Sequence, residues 1–184
     1  MKKLLLITGD LATGKSTFAR LLFVRYGIPM FFKDSIKEVL GDVIGFSNRE
    51  ENKKLSNASM NLMFHIFAEF AGLEKALILE SNFHTEELEK LHSIANEHGY
   101  EVLTLVIRGN VDTLHQRYLN RIYNENRHPV HLSTTLDVYE DFKRYTEKSR
   151  KEEIPGKYLL IDGSDFNYQS NEADLARIDQ FLRG

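Results

Sequence analysis

Gly9-Asp10-Leu11-Ala12-Thr13-Gly14-Lys15-Ser16, followed by Thr17, is the stretch that decides how the chain folds. It fits G-x-x-x-x-G-K-[ST] and lies where that pattern has a mechanism, after the apolar run Leu4 to Ile7 and before an amphipathic one. Gly9 and Gly14 allow the backbone to turn so that its N–H groups converge on phosphate oxygens at a helix N-terminus. Residues 9 to 17 form the nucleotide-binding set. Lys15 is placed to reach the β and γ phosphates, and the Ser16 hydroxyl to hold Mg²⁺. By composition alone the pattern arises in roughly one of 150 to 200 chains of this length, and the strand-loop-helix setting makes chance rarer still. Asp10 puts an acid beside phosphates, so its side chain is expected to point outward.

Outward from the loop, short apolar runs alternate with longer amphipathic ones. Leu4 to Ile7, Met30 to Phe32, Ala76 to Leu79, Val102 to Ile107 and Tyr158 to Ile161 read as strands buried on both faces of a parallel sheet. Helical patterns fill the gaps: Lys15 to Arg25, about Arg49 to Leu73, Thr85 to His98, Val111 to about Glu125, and Asn171 to Leu182. Ser47-Asn48-Arg49-Glu50 reads as a capping box opening the second of these. Strand and helix in alternation predict an α/β three-layer sandwich with right-handed crossovers. Thr146 to Lys157, of mixed charge, reads as a solvated helix end and connector.

Composition sets the bounds. The chain has 184 residues, 24 Lys+Arg against 27 Asp+Glu, a formal net charge of -3, 42% hydrophobic residues and no cysteine. That suits one domain over residues 1–184 with one core. Disulfides, thiolate zinc sites and cysteine nucleophiles are excluded. The slight acidity argues against a general nucleic-acid surface, so any anion site must be local. The early apolar run is broken by Thr8-Gly9-Asp10, too short for a signal peptide, and no run approaches a membrane span. The expectation is a cytoplasmic protein.

The loop does not separate kinases from switches and motors. No guanine-reading Asn-Lys-x-Asp is present, and no stretch could supply a motor's helical lid domain. Four features together resemble the small P-loop kinases: the loop, Asp34 after the second strand, Leu77-Ile78-Leu79-Glu80, and Arg117-x-x-x-Arg121 with Arg127-His128-Pro129. These AAA-type ATP-binding kinases include adenylate kinase-like enzymes, chloramphenicol phosphotransferase and zeta toxin, and the resemblance spans roughly Lys3 to Asp162. It implies a P-loop fold with five parallel strands in the order 2-3-1-4-5 and a short lid at about 117–133. Acceptor-binding helices would occupy about 34–73.

In the chloramphenicol phosphotransferase and zeta-toxin branch, the acid after strand two takes the proton of the acceptor hydroxyl, a role that falls on Asp34. A carboxylate at the carboxyl end of a strand flanking the loop suits that chemistry, although Asp34 could instead cap a helix over Ser35 to Leu40. Glu80 ends a buried strand and is the second candidate, after Ser16, for magnesium, with a solvent-exposed strand end as the plain alternative. Arg117 and Arg121, four apart on one helix face, repel by about 0.2–0.5 kcal/mol unless an anion lies between them. With Arg127 and Lys15 they are the candidates for stabilising a transferring phosphoryl group.

His128 and His131 lack a third ligand at metal spacing and read as lid residues. Tyr139, Phe142 and Tyr145 read as core-facing, and Asp162 and Gly163 as candidates for the adenine edge. Lys15, Lys37, Arg117, Arg121 and Arg127 are the cations expected to gather around the loop. The expected activity is ATP- and Mg²⁺-dependent transfer of the γ-phosphoryl group to a hydroxyl of a small molecule. The alternatives are a polynucleotide or nucleotide-sugar kinase of the same fold, or a nucleotide-dependent switch that transfers nothing.

Overall fold

The computed structural model describes residues 2–125, 127–132 and 136–184. In chain order the elements are β1 (Lys3–Gly9), α1 (Lys15–Tyr26), β2 (Met30–Phe32), α2 (Lys33–Ile44), α3 (Arg49–Ala71), β3 (Leu77–Glu80) and α4 (Thr85–Glu97). These are followed by β4 (Glu101–Arg108), α5 (Val111–Asn124), a 3-10 turn (Pro129–His131), α6 (Tyr139–Ser149), β5 (Lys157–Asp162), a second 3-10 turn (Phe166–Ser170) and α7 (Glu172–Arg183).

All five strands are parallel, in the order β2-β3-β1-β4-β5. The apolar runs made the strands legible, because a strand covered by helices on both faces has no polar face to show, and the order is the one the resemblance implied. Leu5, Ile7, Ile78 and Leu105 pack on one face against Phe18 and Leu22 of α1 and Ile178 of α7. Leu4, Leu6 and Leu79 pack on the other, against Met63 and Phe67 of α3 and Leu88 and Leu91 of α4. Strand β5 departs from the expectation: Tyr158 and Leu160 are exposed, since β5 is an edge strand covered on one face only.

Two helix starts also differ from the sequence reading. The cap of α3 is Asn48, whose side chain accepts from the Glu51 N–H while Glu51 Oε2 accepts from the Ser47 N–H at 2.6 Å, one residue later than expected. Helix α2 begins at Lys33 and has no side-chain cap, so Asp34 lies inside its first turn and is not the capping residue.

Candidate functional site

Strand β1 delivers the chain into the phosphate loop, and three residues there hold left-handed backbone: Gly9 (φ 126°), Ala12 (φ 60°) and Gly14 (φ 85°). At Gly9 a Cβ would stand 2.0 Å from the Ile107 carbonyl oxygen, so strand β4 itself forbids any side chain there. The Asp10 N–H donates to the Ile107 carbonyl, and the Phe18 N–H to that of Gly14. Between them the loop amides make no hydrogen bond with the protein among the described residues. Free N–H groups at a helix N-terminus, with Lys15 among them, are the donor set an oligophosphate needs, so the residues fit the nucleotide that the motif implies.

Lys15 is buried and folds back on its own loop, donating to the carbonyls of Asp10 (2.5 Å) and Gly9 (3.3 Å). Burial lowers its pKa, against the pull of Glu80, Asp10 and Asp34. Glu80, also buried, accepts from the Ser16 hydroxyl at 2.8 Å. Burial raises its pKa, offset in part by Lys15 and by that hydrogen bond. The solvent-exposed strand end is therefore not what the fold builds. Among the described residues there is no cluster of three His, Asp or Glu able to hold a metal unaided. One carboxylate and one hydroxyl beside a phosphate loop fit Mg²⁺, which keeps waters and takes phosphate oxygens to complete its shell.

These groups line one cavity of about 590 Å³ together with Asp34, Ser81, Asn82, Arg117, Arg121, Arg127 and Phe166. Asp34 is exposed within it, and among the described residues its carboxylate has no hydrogen bond or ion pair. Asn82 Oδ1 is buried there without a hydrogen-bond partner among the described residues.

The arginines do not converge on one point. Arg117 donates to the carbonyls of Gly163 (2.9 Å) and Ser164 (2.6 Å), and its guanidinium lies 4.1 Å from the Phe166 ring centroid. Helix α5 sends Arg121 toward the loop, where its charge opposes that of Lys15, and Glu125 sits 3.8 Å from it. The expected mutual repulsion is thus relieved by separate partners, with no shared anion required. Of the expected lid, 117–124 are the last turns of α5, while Asn126 and Ser133 lie outside the described residues. What remains docks on α2: His128 meets Asp42 at 3.0 Å and His131 meets Glu38 at 2.8 Å. The Val130 carbonyl accepts from Asn52 (2.8 Å) and Lys37 (3.2 Å), and the Val130 side chain fills the space over Gly41.

Three expectations are overturned. Asp10 does not point outward: its side chain is 1% exposed and turns beneath the loop, accepting from the Gly109 N–H at 3.1 Å and from Arg150 Nη2 at 2.6 Å. A carboxylate there pairs with a cation on the far side of the loop from the phosphates, which removes the clash. The charged segment after Thr146 is accordingly more than a solvated connector, since Arg150 holds the loop and Glu152 accepts from Thr85 and His84 at the start of α4. Of the three aromatics on α6, Phe142 alone is fully buried, and Tyr145 is 38% exposed. Asp162 caps Ser164, and Gly163 supplies a carbonyl to Arg117. Sequence reasoning missed Arg150 and Phe166; Arg150 lies 140 residues from its partner, and no local pattern marks either.

No family model and no curated protein matches the sequence. Solved structures do. A candidate kinase from Chloroflexus aurantiacus J-10-fl is 26% identical, with a TM-score of 0.82 over 97% of each chain. The fold is that of the P-loop kinases. Shikimate kinase from Bacteroides thetaiotaomicron (17% identity, TM-score 0.62, 99% of each chain) shares it. So does the tunicamycin resistance protein of Deinococcus radiodurans (17%, 0.64, 96% of this chain and 95% of that one). Among the described residues no helix is long and apolar enough to cross a membrane.

Proposed function

We propose that the protein is an ATP-dependent kinase that transfers the γ-phosphoryl group to a hydroxyl of a small molecule, with Asp34 as the base. The observation that carries this reading is the Asp34 carboxylate, exposed and without a hydrogen bond or ion pair among the described residues, in the same cavity as Lys15 and Ser16. A carboxylate tied into a cap or an ion pair could not take a proton at little cost; this one is available. The kinases of the same fold act on small hydroxylated molecules such as shikimate, which agrees with a cavity of this size.

Placement in the cavity supports the following roles. The loop amides from Leu11 to Thr17 and the Lys15 ammonium bind the phosphates, and Lys15 exchanges its carbonyl partners for phosphate oxygens. Ser16 and Glu80 hold Mg²⁺, which supplies charge neutralisation when bound. Arg121 faces the transferring group, while Arg117, 4.1 Å from the Phe166 ring centroid, orients the nucleoside end. Asp34 accepts the hydroxyl proton as the acceptor oxygen bonds to phosphorus, and the bond from phosphorus to the β,γ-bridging oxygen breaks to release ADP. Asp34→Asn should leave ATP affinity unchanged and lower transfer to acceptor by about 10²-fold or more, read as ADP release with product mass. Turnover retained in that variant removes Asp34 as the base.

A further inference from the structure

The cations that line the cavity are Lys15, Arg117, Arg121 and Arg127, and Lys37 stands close by on α2. The charge of Arg121 acts on both Lys15 and Glu80. Arg127 lines the same cavity, and its charge acts on Lys37 and His131 and meets that of Arg121. Among the described residues the Arg127 side chain makes no hydrogen bond or ion pair, and its Nε is buried without a partner. Lys37 lies one helical turn past Asp34 on the same face of α2 and donates only to the neutral Val130 carbonyl.

Of the carboxylates nearby, Glu38 is committed to His131, Asp42 to His128 and Glu125 lies near Arg121, which among the described residues leaves Asp34 alone with its charge on both cations. Burial first, then Lys33 for Lys37 and Arg121 for Arg127, lowers both cations below their usual pKa. Two crowded, partly desolvated cations that share one uncommitted carboxylate are costly unless a further anion meets them. The γ-phosphoryl group does not need them, since the loop amides, Lys15 and Arg121 already face it.

We infer that the acceptor carries an anionic group, a carboxylate or a phosphate ester, and that Arg127 and Lys37 bind it about one helical turn from the hydroxyl that Asp34 serves. The inference rests on the kinase reading and narrows its substrate class. Asp34 then faces the hydroxyl alone, while the acceptor's charge fixes which hydroxyl is presented.

The test uses two series on common skeletons: glycerol, glycerate and glycerol 3-phosphate, and glucose, gluconate and glucose 6-phosphate. Each compound is titrated into the protein loaded with Mg²⁺ and a non-hydrolysable ATP analogue, with melting temperature as the readout, and then assayed for phosphorylated product with ATP. A charged member should stabilise and its neutral counterpart should not; which charged member responds distinguishes carboxylate from phosphate ester. Arg127→Gln and Lys37→Met should each raise the KM for that compound about tenfold or more, with the KM for ATP changed less than about twofold, and Arg127→Lys should recover most of the loss. The inference fails if neutral members stabilise as well as charged ones, if no charged member stabilises while the analogue still binds, or if both variants leave the response unchanged. Charged members that bind through Arg127 and Lys37 yet never become phosphorylated would uphold the anion site and overturn the kinase reading instead.

Discussion

Replacing Arg150 by Met tests how the phosphate loop is held, because its guanidinium supplies the only charged partner of Asp10 among the described residues. The Asp10 side chain is 1% exposed and would keep just the Gly109 N–H after the change. Removing one member of a buried pair costs about 3–5 kcal/mol. Arg150 itself is 30% exposed, so water can enter the vacated space, and about 2–3 kcal/mol is the better expectation. Unfolding entropy of about 2.1 cal/mol/K per residue near 60 °C gives about 0.39 kcal/mol/K for 184 residues. The melting temperature should therefore fall by about 5–8 °C, read by calorimetry or circular dichroism. Asp10→Asn keeps an acceptor for Gly109 and should cost less, and the double variant should lose less than the sum of the singles by about 1 kcal/mol or more. A melting temperature within about 2 °C of the parent, or strictly additive losses, would refute the reasoning that the pair anchors the loop.

Other expectations are as direct. Gly41→Ala brings a Cβ to 2.4 Å from Val130 Cγ1, so it should destabilise by about 1–3 kcal/mol in urea unfolding and expose the 127–132 segment to faster proteolysis. The Glu152 carboxylate is held down to about 2 by its hydrogen bonds from Thr85 and His84. Its folded pKa lies below its ordinary value of 4.5, so its stabilisation is complete above about pH 4.5 and is lost as pH falls toward 2. Glu152→Gln should cost about 1 kcal/mol near neutrality, the figure being kept small by solvent screening, and the difference from the parent should vanish in melts near pH 2.

The sequence by itself determined the sheet and the loop, and it pointed to the residues now proposed to carry the chemistry. Buried parallel strands must be apolar on both faces, and a phosphate loop needs glycine where β4 crowds Gly9, so both leave local marks. Lys15, Ser16 and Asp34 were legible for that reason, since each stands at a fixed offset from a strand end. Tertiary structure decided how charges pair. Asp10 looked misplaced beside phosphates until the fold carried Arg150 beneath it, and Arg117 and Arg121 looked like one anion clamp until the Gly163–Ser164 turn drew Arg117 away. Arg127 comes to the cavity beside Asp34, with Lys37 one helical turn further along α2, where the 128–131 turn seats on that helix through Val130 over Gly41. A charged side chain costs little to place on the surface and much to bury. Its role is therefore set by its partner, and no periodicity along the chain announces a partner brought in across a hundred residues.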